Sequence, residues 1–157
     1  MDPRRLQRLE ELMHVGHGCC VLQEPEAARI VIENWYWFDE KRYDLLAWVV
    51  MPNHVHILVK TYEGVSLGKI VQSWKSYTAK RISPIMKRLK GEEHLCTNAN
   101  NPYKVWIPYY HDRYIRDEKH QEQVVTYIHQ NPVRARLAAH PEDWPWSSAR
   151  GVHNWPW

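Results

Sequence analysis

The spacing of apolar residues changes several times along the chain, and each change marks a predicted element. "YDLLAWVV" (Tyr43–Val50) is almost continuously apolar and aromatic, and "HVHILVK" (His54–Lys60) repeats that character after Met51-Pro52-Asn53. Proline fixes φ and asparagine tolerates tight backbone, so the two runs predict strands joined as an antiparallel hairpin. In "SLGKIVQSWKSYTAKRI", Leu67, Ile70, Val71, Trp74, Thr78 and Ile82 recur at helical spacing. Lys69, Gln72, Ser73, Lys75, Ser76 and Lys80 lie off that stripe. The pattern predicts an amphipathic helix with a basic outer side, capped by Ser66. A second helix is predicted from about Pro25 through "EAARIVIENWYWF". A third runs from about Asp117 to Pro132, with Asn131 at its end because proline disfavours the helical region in the residue before it. "YKVWIPYYHDRYI" reads as a strand whose Pro108 puts it at an edge or a bulge. Asp2-Pro3 opens a predicted N-terminal helix, with Leu6, Leu9 and Met13 at helical spacing until "GHG" (Gly16–Gly18) ends it. No alternating apolar run, and hence no strand, is predicted before residue 43. Residues 90–102 and the tail "HPEDWPWSSARG" read as loops.

Strands interleaved with helices predict one α+β domain over residues 1–157, with an antiparallel sheet flanked by helices. No stretch approaches the roughly 18 apolar residues that span a bilayer. The charged start "MDPRRLQRLEELM" lacks a signal-peptide core, so a cytoplasmic location without membrane partners is expected. Three cysteines, Cys19, Cys20 and Cys96, form neither a disulfide framework nor a zinc knuckle. Nine tryptophans and nine tyrosines against one phenylalanine, large rings that carry a polar handle, suit a surface that stacks on something, but the counts alone prove nothing. The net charge is only +3, but residues 60–90 carry eight basic side chains against Glu63 alone. That excess fits a polyanionic partner or a merely solvated helix face.

His54 and His56 stand two apart on a predicted strand, so both imidazoles leave the same face. By spacing alone they are two ligands for a divalent metal or two ordinary strand histidines. A zinc site would want a further Cys or His at recognisable spacing. His94, His111, His120 and His129 form no such pattern. On the last helix, Tyr127 and Asn131 are four apart and share a face. Asn131 offers a hard amide oxygen that would complete a site with two histidines, or it serves as a helix-end residue. Tyr127 is a core tyrosine or a nucleophile. A phenol with a pKa near 10 is a weak nucleophile, and a metal that polarises a phosphoryl oxygen would favour its attack. A tyrosine–phosphate bond would conserve phosphodiester energy for rejoining.

"VMPNHVHILV", "SWKSYTAKRI", "YYHDRYIRDE", "YIHQNPVRARL" and "PEDWPWSS", in that order, resemble the REP-associated tyrosine transposases, a branch of the single-tyrosine, His-hydrophobic-His superfamily. The likeness runs from about Gly16 to Arg150. It implies a ferredoxin-like HUH-endonuclease core and a metal-dependent endonuclease and strand transferase acting on single-stranded DNA that folds into hairpins. It further implies that His54, His56 and Asn131 bind Mg²⁺ or Mn²⁺ and that Tyr127 forms a 5′-phosphotyrosine bond. On that reading Lys75, Lys80, Arg81 and Arg134 are candidate phosphate contacts, with Trp144 and Trp146 either stacking on bases or packing the tail. The wider superfamily includes dimers, so a monomer or a dimer is expected.

Two departures follow from the resemblance. Relatives carry a first β-strand inside the sheet, which the pattern here does not offer, so a domain truncated at the N-terminus and lacking that strand is expected. Arg136 stands where relatives usually have glycine, which would strain a left-handed position. Two other readings remain open: a catalytically inactive remnant or domesticated protein that binds DNA hairpins, and a zinc hydrolase without a DNA role.

Overall fold

Around Met51-Pro52-Asn53 the chain folds back as the predicted hairpin, pairing β2 (Tyr43–Val50) antiparallel with β3 (His54–Thr61). A register shift between Leu45 and Ala47 inserts a bulge in β2. The bulge explains why Tyr43 and Leu45 share a core with Trp48 and Val50, while Ala47 and Val49 face the other way. The computed structural model describes residues 8–15, 20–89 and 104–151, with the backbone alone for 8–15 and 109. The predicted start at Asp2-Pro3, the break at Gly16–Gly18, Cys19, His94, Cys96 and the polar segment 90–102 lie outside those residues.

The N-terminal expectation is overturned. Arg8–Val15 is not helical but forms β1, paired antiparallel with both β3 and β4 (Trp106–Tyr114). The four-stranded sheet has the order β2-β3-β1-β4, so β1 is the interior strand whose absence was expected. The spacing of Leu9 and Met13 fits a helix, and Glu, Leu and Met favour one intrinsically. The unpaired backbone edges of β3 and β4 outweigh that preference, because a strand between them satisfies donors and acceptors on both sides. β4 lies at the sheet edge with Pro108 in it, as expected. Its pairing with β1 jumps from Met13↔Tyr110 to Val15↔Trp106, a bulge spanning the proline that cannot donate to a ladder.

Helices cover both faces. α1 (Pro25–Phe38) and α2 (Leu67–Arg88) lie on one face, where Val31, Ile32, Trp35, Ile70, Val71, Trp74 and Ile82 meet Val55, Ile57 and Val59 of β3. The surplus of tryptophan and tyrosine is largely spent here. Trp35 lies 6.1 Å from Trp48 and 6.3 Å from Trp74, and Tyr43 lies 5.4 Å from Trp74, between ring centroids. The polar handles are used inside: Tyr43 Oη donates to Trp35 O at 2.7 Å, and Trp106 Nε1 donates to Thr78 Oγ1 at 2.8 Å. α3 (Glu118–Arg134) covers the opposite face through Val124 and Ile128, which pack on Ala47, Val49 and Leu58.

The tail closes the free side of β2 rather than forming a stacking surface. Val50 N donates to Trp146 O at 2.8 Å, Trp144 Nε1 donates to Val50 O at 2.9 Å, and Trp48 N donates to Ser148 Oγ at 2.9 Å. Both tail tryptophans are half-buried against the cores. Capping the β2 edge this way removes a template for unwanted pairing.

α3 also runs further than predicted, through Pro132 to Arg134. A proline in the final turn forfeits one intrahelical bond, and the helix then ends in a Schellman arrangement. Arg136 N donates to Val133 O at 3.0 Å and Leu137 N to Pro132 O at 2.9 Å, with Arg136 at φ 59°. The anticipated strain at Arg136 is therefore present. A left-handed L-residue costs about 1–2 kcal/mol, partly offset by the unfolded-state entropy of glycine. Arg136→Gly is expected to stabilise the chain by about 0.5–1 kcal/mol and raise Tm by about 1–4 °C, read by thermal melting.

Candidate nucleic-acid cleavage site

Strand alternation settles which face His54 and His56 use. Val55, Ile57 and Val59 point to the α1/α2 core, whereas Leu58 packs on Val124 and Ile128 of α3, so His54 and His56 leave toward α3. There the rings of His54 and His56 lie 5.2 Å apart, centroid to centroid, at 82°. Tyr127 meets His56 edge to face, 5.4 Å between centroids at 87°. His56 is buried, while Tyr127 is 40% exposed and open to a substrate from solvent.

Each partner is held from outside the contact. Asn53, read in the sequence only as a turn residue, places Oδ1 2.7 Å from His54 Nδ1. A carbonyl oxygen only accepts, so Nδ1 carries the proton and Nε2 of His54 keeps its lone pair. Arg134 arches back over Tyr127, its guanidinium carbon 4.3 Å from the ring centroid and one nitrogen donating to Tyr127 O at 3.2 Å. A fixed positive charge thus sits beside the phenol ring.

Asn131 lies one helical turn beyond Tyr127, half-buried, and its amide Nδ2 is buried without a hydrogen-bond partner. An amide Nδ2 only donates, so the partner it lacks is an acceptor; a cation would be taken by Oδ1, the other atom of the same amide. Among the described residues no group of three or more His, Cys, Asp and Glu side chains is placed to hold a metal. Two imidazoles and the amide oxygen of Asn131 would form a mixed neutral donor set, which fits a divalent cation that shares its remaining positions with water and phosphate.

Beside Tyr127 opens a cavity of about 580 Å³, lined by His56, His111, Arg113, Arg116, His120 and Gln123 among others. His111 and His120 seemed unconnected along the chain, being nine residues apart on β4 and α3. The topology brings them to one wall. The remaining predicted phosphate contacts lie elsewhere. Lys75 and Lys80 line a groove of about 610 Å³ between α2 and β4, on the face of the sheet away from Tyr127. Lys75 Nζ donates to Ile107 O at 3.0 Å, so its ammonium is committed to β4. Arg81 stacks on Tyr77, 3.6 Å from the ring centroid, on the same exposed helix. Of the four, Arg134 alone adjoins the tyrosine.

No helix among the described residues is long and apolar enough to cross a membrane. In sequence the chain is 28% identical over 123 residues to the REP-associated tyrosine transposase of Escherichia coli, covering 75% of this chain and 64% of that protein. It is 31% identical over 106 residues to an uncharacterised protein of Haemophilus influenzae, covering 62% and 57% respectively. The chain therefore spans about three fifths of the length of these relatives. In structure it resembles a REP-associated tyrosine transposase solved bound to a REP hairpin, with a TM-score of 0.69 at 21% identity, over 95% of this chain and 81% of that one. That likeness establishes the fold, an α+β domain with an antiparallel sheet. Residues 26–131 match the family described as "Transposase IS200 like", and by that match across most of its length the chain belongs to the IS200-like transposase family.

Proposed function

We propose that this chain is a metal-dependent endonuclease and strand transferase that cleaves hairpin-forming single-stranded DNA through a 5′-phosphotyrosine intermediate. The observation that carries the reading is the convergence of His54 and His56 from β3 with Tyr127 from α3, 5.4 Å from ring to ring. His54, His56 and Asn131 would hold Mg²⁺ or Mn²⁺. Bound there, the ion would supply charge stabilisation at a phosphoryl oxygen. The phenolic oxygen of Tyr127 attacks phosphorus and loses its proton to solvent. A Tyr–O–P bond forms, the bond from phosphorus to the 3′ oxygen breaks, and that oxygen leaves as a hydroxyl. Attack by a 3′ hydroxyl on the phosphotyrosine reverses the exchange and rejoins strands without an external energy source. Arg134, over the Tyr127 ring, adds a permanent positive charge where the phosphate must come.

The alternative of a disarmed hairpin binder drew its support from a missing interior strand, and β1 occupies that place. The deciding experiment incubates the purified chain with labelled single-stranded hairpin DNA from its own genomic flanks and Mn²⁺. A protein–DNA adduct that survives denaturant and disappears with chelator is expected. Clear binding with no adduct would sink the nuclease reading in favour of the binder. The reading places the chain in the cytoplasm, as a monomer or dimer.

Phosphate contacts make affinity fall with salt. For about four phosphates on a single strand, Kd should weaken about fifty-fold between 50 and 200 mM salt. Charge removal at Lys80 or Arg81 should lower the slope by roughly 0.7 each. Removal at Lys75, already bonded to β4, should lower it less. Fluorescence anisotropy across a salt series measures both, and an affinity insensitive to ionic strength would count against phosphate recognition.

A further inference from the structure

The cavity beside Tyr127 holds a histidine whose tautomer is fixed in the sense opposite to that of His54. His120 sits in the first turn of α3, and its backbone N donates to Oδ1 of the cap residue Asp117 at 2.7 Å. Its ring nitrogen Nδ1 lies 3.1 Å from the backbone N of Arg116. An amide N–H only donates, so Nδ1 supplies the lone pair and the neutral ring carries its proton on Nε2. The residue is 8% exposed and lines the cavity, yet Nε2 has no partner among the described residues.

A nitrogen that bears a proton cannot ligate a metal. While the bond from Arg116 stands, His120 offers the cavity a hydrogen-bond donor, and its partner must be an acceptor. The surroundings select the kind of acceptor. Arg113 and Arg116 line the same cavity with the carboxylate of Asp112; the first turn of α3 is already capped by Asp117 and carries Glu118, so the positive charge at this wall is that of the two guanidinium groups. An anionic oxygen is what this wall fits.

We infer that the cavity is a phosphodiester subsite adjoining the tyrosine, in which His120 donates from Nε2 to a non-bridging phosphate oxygen of the strand. The inference rests on the DNA-cleaving reading and adds a contact to it. His54 and His120 then divide the work at one site. Asn53 turns the first into a lone-pair donor for a cation, and the Arg116 backbone turns the second into a proton donor for an anion. His120 is a binding and positioning residue, not part of the metal set.

Two substitutions separate this role from a purely structural one. Asparagine at 120 can still accept from Arg116 N through Oδ1 but has nothing at the Nε2 position. Glutamine reaches the Nε2 position with an N–H donor but not the Nδ1 position. In the full chain carrying Tyr127→Phe to prevent cleavage, Kd for labelled single-stranded hairpin DNA is measured in chelator, and Mn²⁺ affinity is measured separately without DNA. His120→Asn should weaken DNA binding about ten-fold, the scale of one lost hydrogen bond to a charged group. His120→Gln should stay within about two-fold, and Mn²⁺ affinity should hold in both. The reverse order, Asn harmless and Gln damaging, would show that His120 only caps the loop before α3. Equal binding by all three, a His120→Asn chain that fails to fold, or loss of Mn²⁺ affinity would each overturn the inference. If His120 is unaltered and the chain binds DNA, ¹⁵N spectra should show the proton on Nε2 and its signal moving as oligonucleotide is added. A proton on Nδ1 would overturn it. No DNA binding by the unaltered chain removes the DNA reading first, and the subsite with it.

Discussion

Tyr127→Phe is expected to abolish the covalent protein–DNA adduct while leaving hairpin binding within about two-fold. Removing the attacking oxygen from a site that depends on it costs on the order of 10⁴-fold or more in rate. The rest of the side chain's work survives the change. Phenylalanine keeps the ring that meets His56 edge to face and the surface on which Arg134 rests. The lost hydroxyl belongs to a side chain that is 40% exposed and makes no hydrogen bond through Oη among the described residues. Stability should therefore shift by less than about 0.5 kcal/mol. Denaturing gels of labelled oligonucleotide read the adduct, anisotropy reads binding, and a melt confirms the fold. An adduct that persists in the Phe variant would transfer the nucleophile to another hydroxyl, with the exposed Tyr114 and Tyr77 the first to test.

The hairpin was legible because its strands are rich in β-branched and apolar residues and its turn contains the one proline and asparagine that a reversal needs. α2 was legible from its stripe, and its burial follows that stripe from Ile70 to Ile82. β1 was not. Its residues favour a helix on their own, and only the empty slot between β3 and β4 makes a strand of them, a fact of tertiary pairing that no local window contains. The bulge in β2 was hidden for the same reason: after Asp44 the run is continuously apolar and carries no alternation from which to read a change of face.

Of the candidate site, spacing showed only that His54 and His56 share a strand face and that Tyr127 and Asn131 share a helix face; that His56 meets Tyr127 becomes visible once the sheet is built. Asn53 was visible as a turn residue, and the structure adds a second part to it. One residue supplied both the turn and the bond to His54. His120 lacked any pattern in the chain, since its place in the cavity comes from β4 and the first turn of α3 meeting beside His56. The basic stretch from 60 to 90 showed an excess of charge but not where that charge lies relative to the tyrosine. Charge can be counted in a sequence, but Lys75 and Lys80 turn out to line a groove on the far side of the sheet from Tyr127.

The other large effect expected is at His56. His56→Ala should weaken Mn²⁺ binding at least as much as disturbing the support of a ligand does, about 10–100-fold. Adduct formation at fixed Mn²⁺ should fall with it. Asn53→Ala separates ligand from support. It leaves both imidazoles in place but frees His54 to protonate on either nitrogen, so a smaller loss of affinity is expected. Tyr127→Phe, which removes no donor from the metal set, is the control that should bind Mn²⁺ as the unaltered chain does. Titration calorimetry without DNA gives these affinities independently of cleavage, and far-ultraviolet circular dichroism confirms that the buried substitution has not unfolded the sheet. Should Mn²⁺ affinity survive His56→Ala unchanged, the two imidazoles that leave β3 together would have to be explained by packing against Tyr127 alone. The graded order His56→Ala, Asn53→Ala, Tyr127→Phe is what a metal held by His54 and His56 of the strand and Asn131 of the helix, without Tyr127, requires.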